Sequence, residues 1–547
     1  MGNRNVIMEN IIKDIDSAYA YLKTSAMFKL SLSSKELFHS NFLEWLSNVD
    51  QEAFKGLILD MAGIEEDYEW PNVWRGKREY NNFDLCVVAY NQDQYKNKED
   101  ERIDDDDDFR ILFVIENKVK SIPYKEQLER YTREAEAKNN AYWNNRGSAL
   151  LKRNGINGNK DDGKYWIGVD EGFWVLKKSI KSGRGKDAKW SEVKKLIPAT
   201  DDGKWKNNKT NFIEYYAEQG KNQNPPIHYI LLSLAKNFPE YDGKNVWKVD
   251  ITDSKDNEIE IDWKVCYYSN YYSKIANAFK LDDDGLNSQI IKDYCKFIES
   301  LTTLSEEWAK DYEEDSQGIN KFLYLDNTNY KRAHQFRIHD LYQKLKFSYL
   351  CTQLFGRVKD KFKDCKVYPS NQAGLFKEKN EDFGKTNMYI CVNYTYLHGD
   401  PLLEINVHPK CENGVELYYA IQVQGSAYEH GIQVKKNNDL IEKSYPSKLI
   451  RERVLFSEIV WNHLIDETIS IIPNWMNIYE VSKWEKAEWM DVPNKENKCY
   501  NKYDMNDGTY VYQKYIINND VTIKTVLSKM INDLQYICDN IKQCDSI

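Results

Sequence analysis

The sequence predicts an α/β protein with a central mixed sheet flanked by helices, followed by a helical middle region and a C-terminal α+β domain. Three observations carry this. Ile111–Ile115 is an unbroken apolar run rich in β-branched residues, and the stretch IHYILLSLA (227–235) is a second, largely apolar one, the pattern of strands buried on both faces. Helically spaced segments surround them, giving the order helix, strand, strand, helix, strand, with a further helix near 266–280. From about residue 366 the texture changes: MYICVNYTY, PLLEINVHP and VELYYAIQVQG alternate like antiparallel strands. The divisions read from these shifts are 1–280, a helical connecting region over 281–365, and 366–547.

A chain of 547 residues exceeds one ordinary core, so two or three domains are expected. With 41% hydrophobic and 14% aromatic residues it is globular in composition. No window approaches a membrane-spanning length of apolar residues, so no membrane partner is expected. The N-terminal MGNRNVIMENIIKDID carries charges inside its apolar pattern, which argues against a signal peptide. Val6 stands where a myristoylation motif needs Ser or Thr. The ten cysteines are scattered without CxxC spacing, which fits reduced thiols in a cytoplasm better than a zinc ribbon. At a net charge of −10, a nucleic-acid partner would need a local basic surface or a second protein.

Taken in order, residues 3–30 read as helical, with Ile7, Ile11, Ile15 and Tyr19 at a four-residue period. Ser33 and Glu36 then have capping-box spacing before an apolar helical face, so Glu36 reads first as a cap. Residues 79–90 read as one strand, in which Asp84 is unfavourable by propensity and is either an edge or turn residue or a ligand. Asn91 to Asp108 is a polar loop ending in five adjacent aspartates, read as a solvated hairpin tip. Residues 124–139 form a helix that puts Gln127 and Tyr131, four apart, on one side. From Lys177 to Lys195 eight Lys or Arg face only Asp187 and Glu192, with Trp174 and Trp190 nearby. Lys177, Lys178, Lys181 and Arg184 are the candidates there for gripping a nucleic-acid backbone, with the tryptophans stacking on bases; the alternative is an ordinary solvated surface. A short helix is expected over 211–219 and one long helix over 334–363. In such a helix His334 and His339 do not share a face, which argues against a His-pair metal site. Ser457–Ile472 and Val521–Cys544 also read as helices. No internal repeat and no Gly-Ser linker is seen.

The candidate chemistry sits at the end of the first buried strand. Glu116 and Lys118, at i and i+2, project from one face, where a carboxylate and an ammonium are costly to bury unless they pair or hold a metal. Asp84 and Glu116, from adjacent strands, could together bind one hard divalent cation such as Mg²⁺, which keeps several waters. Lys118 could then orient the attacking water or stabilise charge on a phosphate. Glu36 could complete the outer shell or hold a second ion, and Gln127 could contact the scissile phosphate or position Lys118.

The set Glu36, Asp84, Glu116-Asn117-Lys118 and Gln127-x-x-x-Tyr131, in this order and in these settings, resembles the PD-(D/E)XK nuclease superfamily. ELFHSNFLEWL followed by VIENKVKSIPYKEQLERY looks like a bacterial branch of it often associated with phage defence. The resemblance covers roughly residues 1–280 and says nothing of 366–547. It implies a restriction-endonuclease-like core of helix, three-stranded meander, helix and strand. It further implies Asp84, Glu116 and Glu36 as metal-site carboxylates, Lys118 as the catalytic lysine, and Gln127 and Tyr131 as a match to the Gln-Tyr motif of RecB-like nucleases. Phe83 stands where the motif's proline would precede Asp84, a position commonly relaxed in the superfamily. The implied activity is Mg²⁺-dependent hydrolysis of phosphodiester bonds, with Mn²⁺ able to substitute and DNA as the substrate, in bacterial anti-phage defence. The remaining chain would recognise substrate, a trigger, a second copy or a defence-system partner. The rival readings are a catalytically silent binding module on a nuclease fold and an RNA-cleaving toxin of the same fold.

Overall fold

In the computed structural model, the chain is described from Ile12 to Cys544, apart from residues 13, 32–34, 65–67, 91–108, 120, 122, 155–164, 171–172, 180–189, 199–208, 223, 253–256, 280, 282–284, 314–317, 371–387, 398–399, 410–416, 436–486, 492–499 and 506–507. The acidic run at Asp104–Asp108, Ser33 of the capping box and the expected helix over 457–472 lie outside the described residues.

The chain opens with four helices, α1 (Ile15–Thr24), α2 (Ala26–Ser31), α3 (Lys35–Val49) and α4 (Gln51–Ala62). Asp14 and Ser17 form a reciprocal capping box at the start of α1. Ser25, with extended backbone, separates α1 from α2, so the described part of the helical stretch expected over 3–30 is two helices, and Ile7 and Ile11 lie outside the described residues. Asp50 caps α4, whose end is closed by Gly63 at φ +65°. The segment expected as one strand over 79–90 is a hairpin, β1 (Trp74–Tyr80) and β2 (Phe83–Tyr90). Asn81 and Asn82 turn it at φ +50° and +68°, the left-handed geometry that Asn tolerates and a two-residue turn requires. β3 (Phe109–Lys118) is buried along its whole length, as its apolar run predicts.

Helix α5 (Lys125–Arg153) continues well beyond residue 139. Three strands that periodicity did not show follow: β4 (Tyr165–Asp170), β5 (Phe173–Ser179) and β6 (Trp190–Pro198), a small antiparallel sheet. With α6 (Lys209–Asn222) they enclose a separate small core of Leu151, Trp174, Leu176, Phe212 and Tyr215. Next come β7 (His228–Ser233), β8 (Val246–Thr252) and β9 (Glu258–Tyr267). The first large sheet has the order β1-β2-β3-β7-β9-β8, with β3, β7 and β9 mutually parallel and the remaining pairs antiparallel. Helices α3 and α5 pack against it.

The middle region holds α7 (Tyr268–Ala278), α8 (Leu286–Ala309), α9 (Thr328–Gln335) and α10 (His339–Lys361). The expected long helix over 334–363 is broken at Arg337, which has φ +58°. The break folds the chain back, so the His334 and His339 rings lie 4.6 Å apart, although helical spacing would have separated them. The second large sheet contains β10 (Lys366–Ser370), β11 (Met388–Leu397), β12 (Asp400–Pro409), β13 (Leu417–Gln424), β14 (Ala427–Lys435), β15 (Met490–Asp491), β16 (Tyr500–Met505) and β17 (Gly508–Ile517). It too is mixed, since β10 runs parallel to β11 while its other pairs are antiparallel. The last helix is α11 (Ile523–Cys544). One face of this sheet packs on α10 and α11, and a continuous apolar core runs from the N-terminal helices to α11. The molecule is therefore a mixed α/β fold with two mixed sheets flanked by helices. Among the described residues no helix is long and apolar enough to cross a membrane.

Candidate functional site

The end of β3 carries the candidate site. Glu116 is 1% exposed and Lys118 7%. Strand alternation puts both on the face covered by α5, while Asn117 points to the opposite face, toward α3. Lys118 Nζ lies 2.6 Å from Glu116 Oε1. The same oxygen accepts from Gln127 Nε2 at 3.1 Å, and Gln127 Nε2 also donates to the Tyr131 hydroxyl at 2.8 Å. Gln127 therefore fixes Glu116, not Lys118, from the first turn of α5. Tyr131 is itself held edge-on against Phe83, their centroids 5.5 Å apart. Phe83 is thus a packing residue under the pair Gln127 and Tyr131.

Asp84 enters from the neighbouring strand. Leu85 pairs with Ile115 in antiparallel register, so one residue back along β2 brings Asp84 to the level of Glu116. Its Oδ2 accepts the Asn117 main-chain N–H at 2.7 Å. Glu36, in the first turn of α3, turns its Oε1 onto Ser121, accepting from the main-chain N–H at 2.9 Å and from the hydroxyl at 2.7 Å. The Glu36 carbonyl accepts from Asn117 Nδ2 at 3.1 Å. All six predicted residues thus meet at one end of one strand.

Sequence reasoning did not single out the residues that join them. Asn117 binds Asp84 through its main chain, α3 through its side-chain nitrogen, and the Tyr268 hydroxyl through its side-chain oxygen. Tyr268 opens α7, so one amide ties three elements together. Ser121 anchors Glu36. The available signal was the alternation itself, which sends Asn117 to the face opposite Glu116 and Lys118. His39, also on α3, is buried and shares a hydrogen bond of 2.8 Å with Tyr294, and burial pulls its pKa down to about 3. It is a neutral packing histidine.

The electrostatics follow from crowding acids in a dry place. Burial pushes the Asp84 carboxyl up to about 6, against the opposing pull of Lys118 and the Asn117 N–H. Burial likewise pushes Glu116 up, with Asp84 and Glu36 adding to it and Lys118 opposing. Burial pulls Lys118 down, but Glu116, Glu36 and Asp84 together outweigh it and push the ammonium's pKa up. Three acids against one lysine leave the pocket short of positive charge.

Glu116 Oε2 is buried and without a hydrogen-bond partner. A buried carboxylate oxygen in that state is destabilising unless a proton or a cation reaches it. With Asp84 beside it, the donors are hard anionic oxygens, the set that suits Mg²⁺ or Mn²⁺. Among the described residues no group of three or more His, Cys, Asp or Glu is placed to hold a metal ion together. The available protein ligands are therefore the two carboxylates of Asp84 and Glu116, with Glu36 engaged by Ser121 at the edge.

The basic stretch is a separate matter. Lys177 and Lys178 lie on β5, paired with Val193 and Glu192 across to β6. Their side chains, and Lys181 and Arg184 altogether, fall outside the described residues. Trp174 is fully buried against Phe212 and Tyr215, which corrects the expectation that it could stack on a base. An indole needed to close a small core is not available to a ligand. Comparison with known proteins adds no relative: no family model, no curated protein and no solved structure matches the chain.

Proposed function

We propose that this chain is a metal-dependent nuclease of the PD-(D/E)XK kind, built on a restriction-endonuclease-like core, that hydrolyses phosphodiester bonds in DNA. The observation that carries the reading is the Glu116 carboxylate, buried, with one oxygen on Lys118 and the other unpartnered, beside Asp84. A structural ion pair has no use for a second acid and an unsatisfied oxygen at the same point. Asp84 and Glu116 would hold Mg²⁺, with Mn²⁺ as a substitute, and the ion when bound would polarise the phosphate and lower the pKa of a water.

The chain's own residues have separable tasks. Lys118, kept charged by the surrounding acids, would orient a water and stabilise charge on the phosphate. Gln127, braced by Tyr131, would keep Glu116 in place. Glu36, through Ser121, would fix the turn between β3 and α5. The meander β1–β3, helix α5 and parallel strand β7 support the core assignment, and the motif phrasing supports a role in bacterial anti-phage defence. The basic stretch or a partner protein would hold the nucleic acid.

A second reading has one observation in its favour. The 2.6 Å pair of Glu116 and Lys118 satisfies both groups in part, as a binding module that no longer cleaves would retain it. The deciding experiment incubates purified protein with plasmid, linear duplex, single-stranded DNA and RNA, each with Mg²⁺, Mn²⁺ or EDTA. Metal-dependent cutting of DNA that is lost in Glu116→Ala supports the nuclease. Cutting of RNA alone would move the assignment to an RNA-cleaving toxin. Binding without cutting in either metal would leave the silent module.

A further inference from the structure

Away from that site, a cavity of about 420 Å³ lies between the 319–328 segment and α10. Asp311, Lys321, Tyr324, Tyr342, Lys346 and Asn519 contribute to its walls. The segment is pinned by main-chain hydrogen bonds to the chain leading into α11, Phe322 N–H to the Val521 carbonyl at 2.8 Å and Ile523 N–H to the Asn320 carbonyl at 2.9 Å. The cavity is therefore built from the middle region and the C-terminal part together.

Lys346 is the unusual group there. It projects from α10 and is 1% exposed. Its Nζ donates to the main-chain carbonyls of Lys321 at 3.1 Å and Phe322 at 2.8 Å. An ammonium carries three hydrogens, and among the described residues the third has no oxygen or nitrogen acceptor, facing only the Phe322 and Tyr324 rings. The Tyr324 hydroxyl accepts from Gln343 Nε2 at 2.8 Å, and its own hydrogen likewise has no acceptor among the described residues. The Tyr324 ring centroid is 5.2 Å from Lys346 Nζ. Two buried groups with a hydrogen to spare thus border one cavity. The acid on the wall is already engaged: Asp311 Oδ2 accepts from Asn329 Nδ2 at 2.9 Å and from the Tyr342 hydroxyl at 3.2 Å. At the rim, Ile319 and Leu325 are 62% and 60% exposed, although both are large and apolar.

We infer that this cavity is a binding site for a small organic anion. Its carboxylate or phosphate oxygens take the spare hydrogens of Lys346 and Tyr324, and its apolar part lies against Ile319 and Leu325. Spare buried donors favour an acceptor ligand, because each is destabilising while unmatched. The apolar rim favours a ligand with a hydrocarbon end over a bare inorganic ion. Burial pulls Lys346 down to about 7, against Asp311. An anion at Nζ pushes it back up, so binding at neutral pH draws in a proton. The charged and titratable groups lining the cavity with it are Asp311, Asp326, Lys321, Tyr324 and Tyr342. Lys321 is itself paired with Asp520 at 2.7 Å and lies mostly in solvent, which leaves Lys346 as the cation for the ligand.

The test is calorimetric titration of the full chain in EDTA at pH 7 with inorganic phosphate, hexanoate and hexylammonium, each in two buffers of different ionisation enthalpy. At least one of the two anions is expected to bind in the millimolar range or tighter with net proton uptake, and hexylammonium is expected not to bind. Hexanoate is expected to bind more tightly than phosphate, because its alkyl end reaches the apolar rim, and binding of phosphate alone overturns the organic ligand. Lys346→Met should weaken binding at least tenfold and abolish the proton uptake. Tyr324→Phe should weaken it severalfold. Asp311→Asn, which keeps an oxygen acceptor but removes the repelling charge, should tighten it. If Lys346→Met does not fold, the Tyr324 and Asp311 variants carry the test. Absence of binding by both anions, or affinities unchanged in these variants, overturns the inference. It does not rest on the nuclease reading, and Asp84→Asn should leave the anion affinity as it is.

Discussion

The main-chain N–H of Asn117 donates to Asp84 Oδ2 at 2.7 Å, so the backbone of the strand that carries Glu116 and Lys118 also orients the acid from the next strand. This contact uses the main chain and not the Asn117 side chain, whereas the ties to Glu36 and Tyr268 belong to the amide alone. The consequences for the site can be measured separately.

Asp84→Asn is expected to abolish metal-dependent cleavage and to stabilise the metal-free protein at neutral pH. The folded-state pKa of Asp84 is raised, to about 6, so the native state holds its proton longer than the unfolded chain. Stability from this group is complete below about pH 4 and is lost as pH rises toward 6. The loss is at most about 3 kcal/mol, from roughly two pKa units at about 1.4 kcal/mol each. Urea unfolding in EDTA at pH 4.5 and 7 should show wild type losing stability relative to the Asn variant over that window. An equal response of the two proteins would place Asp84 in solvent.

Metal affinity should rise with pH over the same range and above it. Asp84 and Glu116 are both pushed up by burial and must shed protons before a cation can take their place. Calorimetric titration with Mn²⁺ should give weak or absent binding at pH 5 and a steep gain by pH 8. Glu116→Ala should remove the binding at every pH. A flat affinity across this range would exclude these two carboxylates as the ligands.

Lys118→Ala should lose cleavage by about a hundredfold or more while retaining Mn²⁺ binding, because its proposed task lies in charge that develops during reaction. Lys118→Arg should rescue poorly, since a planar guanidinium does not replace a compact ammonium in a tight pocket. Full activity in either variant would reduce the lysine to an ion-pair partner of Glu116.

Gln127→Ala should weaken Mn²⁺ binding roughly tenfold by releasing Glu116 Oε1, a typical effect of removing a group that orients a ligand. Tyr131→Phe, which removes only the hydroxyl that braces Gln127, should be milder. Asn139→Ala is the contrasting control. Its side chain pairs with both the N–H and the carbonyl of Ile111, at 2.7 and 2.9 Å, where the β2–β3 register slips. Its loss should cost roughly 2–4 kcal/mol of stability, from two buried main-chain groups left unmatched, with kcat/KM unchanged.

Neutralising Lys177, Lys178, Lys181 and Arg184 together should weaken DNA binding evenly across sequences. It should also flatten the salt dependence by about one counterion-release unit per lost phosphate contact. Titration of a labelled duplex at several salt concentrations decides it. An unchanged affinity and slope would make the stretch a solvated surface.

Local pattern was enough for much of the site. A run of five apolar residues ending in Glu-x-Lys specifies a buried strand that puts two charged heads on one face, because strand side chains alternate. Helical spacing then aligns Gln127 with Tyr131. These depend on neighbours within a few residues, and the sequence displays them. Other features were visible but ambiguous. Asn81-Asn82 marked a turn inside what reads as one strand, and only the paired hairpin reveals it.

What the tertiary structure alone decided is how the pieces meet. Gln127 reaches Glu116, Glu36 turns onto Ser121, and Asn117 gathers Asp84, α3 and α7, all through contacts between elements that no local period encodes. The Arg337 break reversed a helical expectation and brought His334 against His339, because one left-handed residue redirects a whole segment. Trp174 looked like a stacking surface beside its lysines, and packing claimed it for a core. Burial, too, belongs to the fold. Asp84, Glu116 and Lys346 carry ordinary side chains, and it is the surrounding protein, by shielding them from water, that moves their protons and leaves Glu116 and Lys346 with hydrogen bonds still to make.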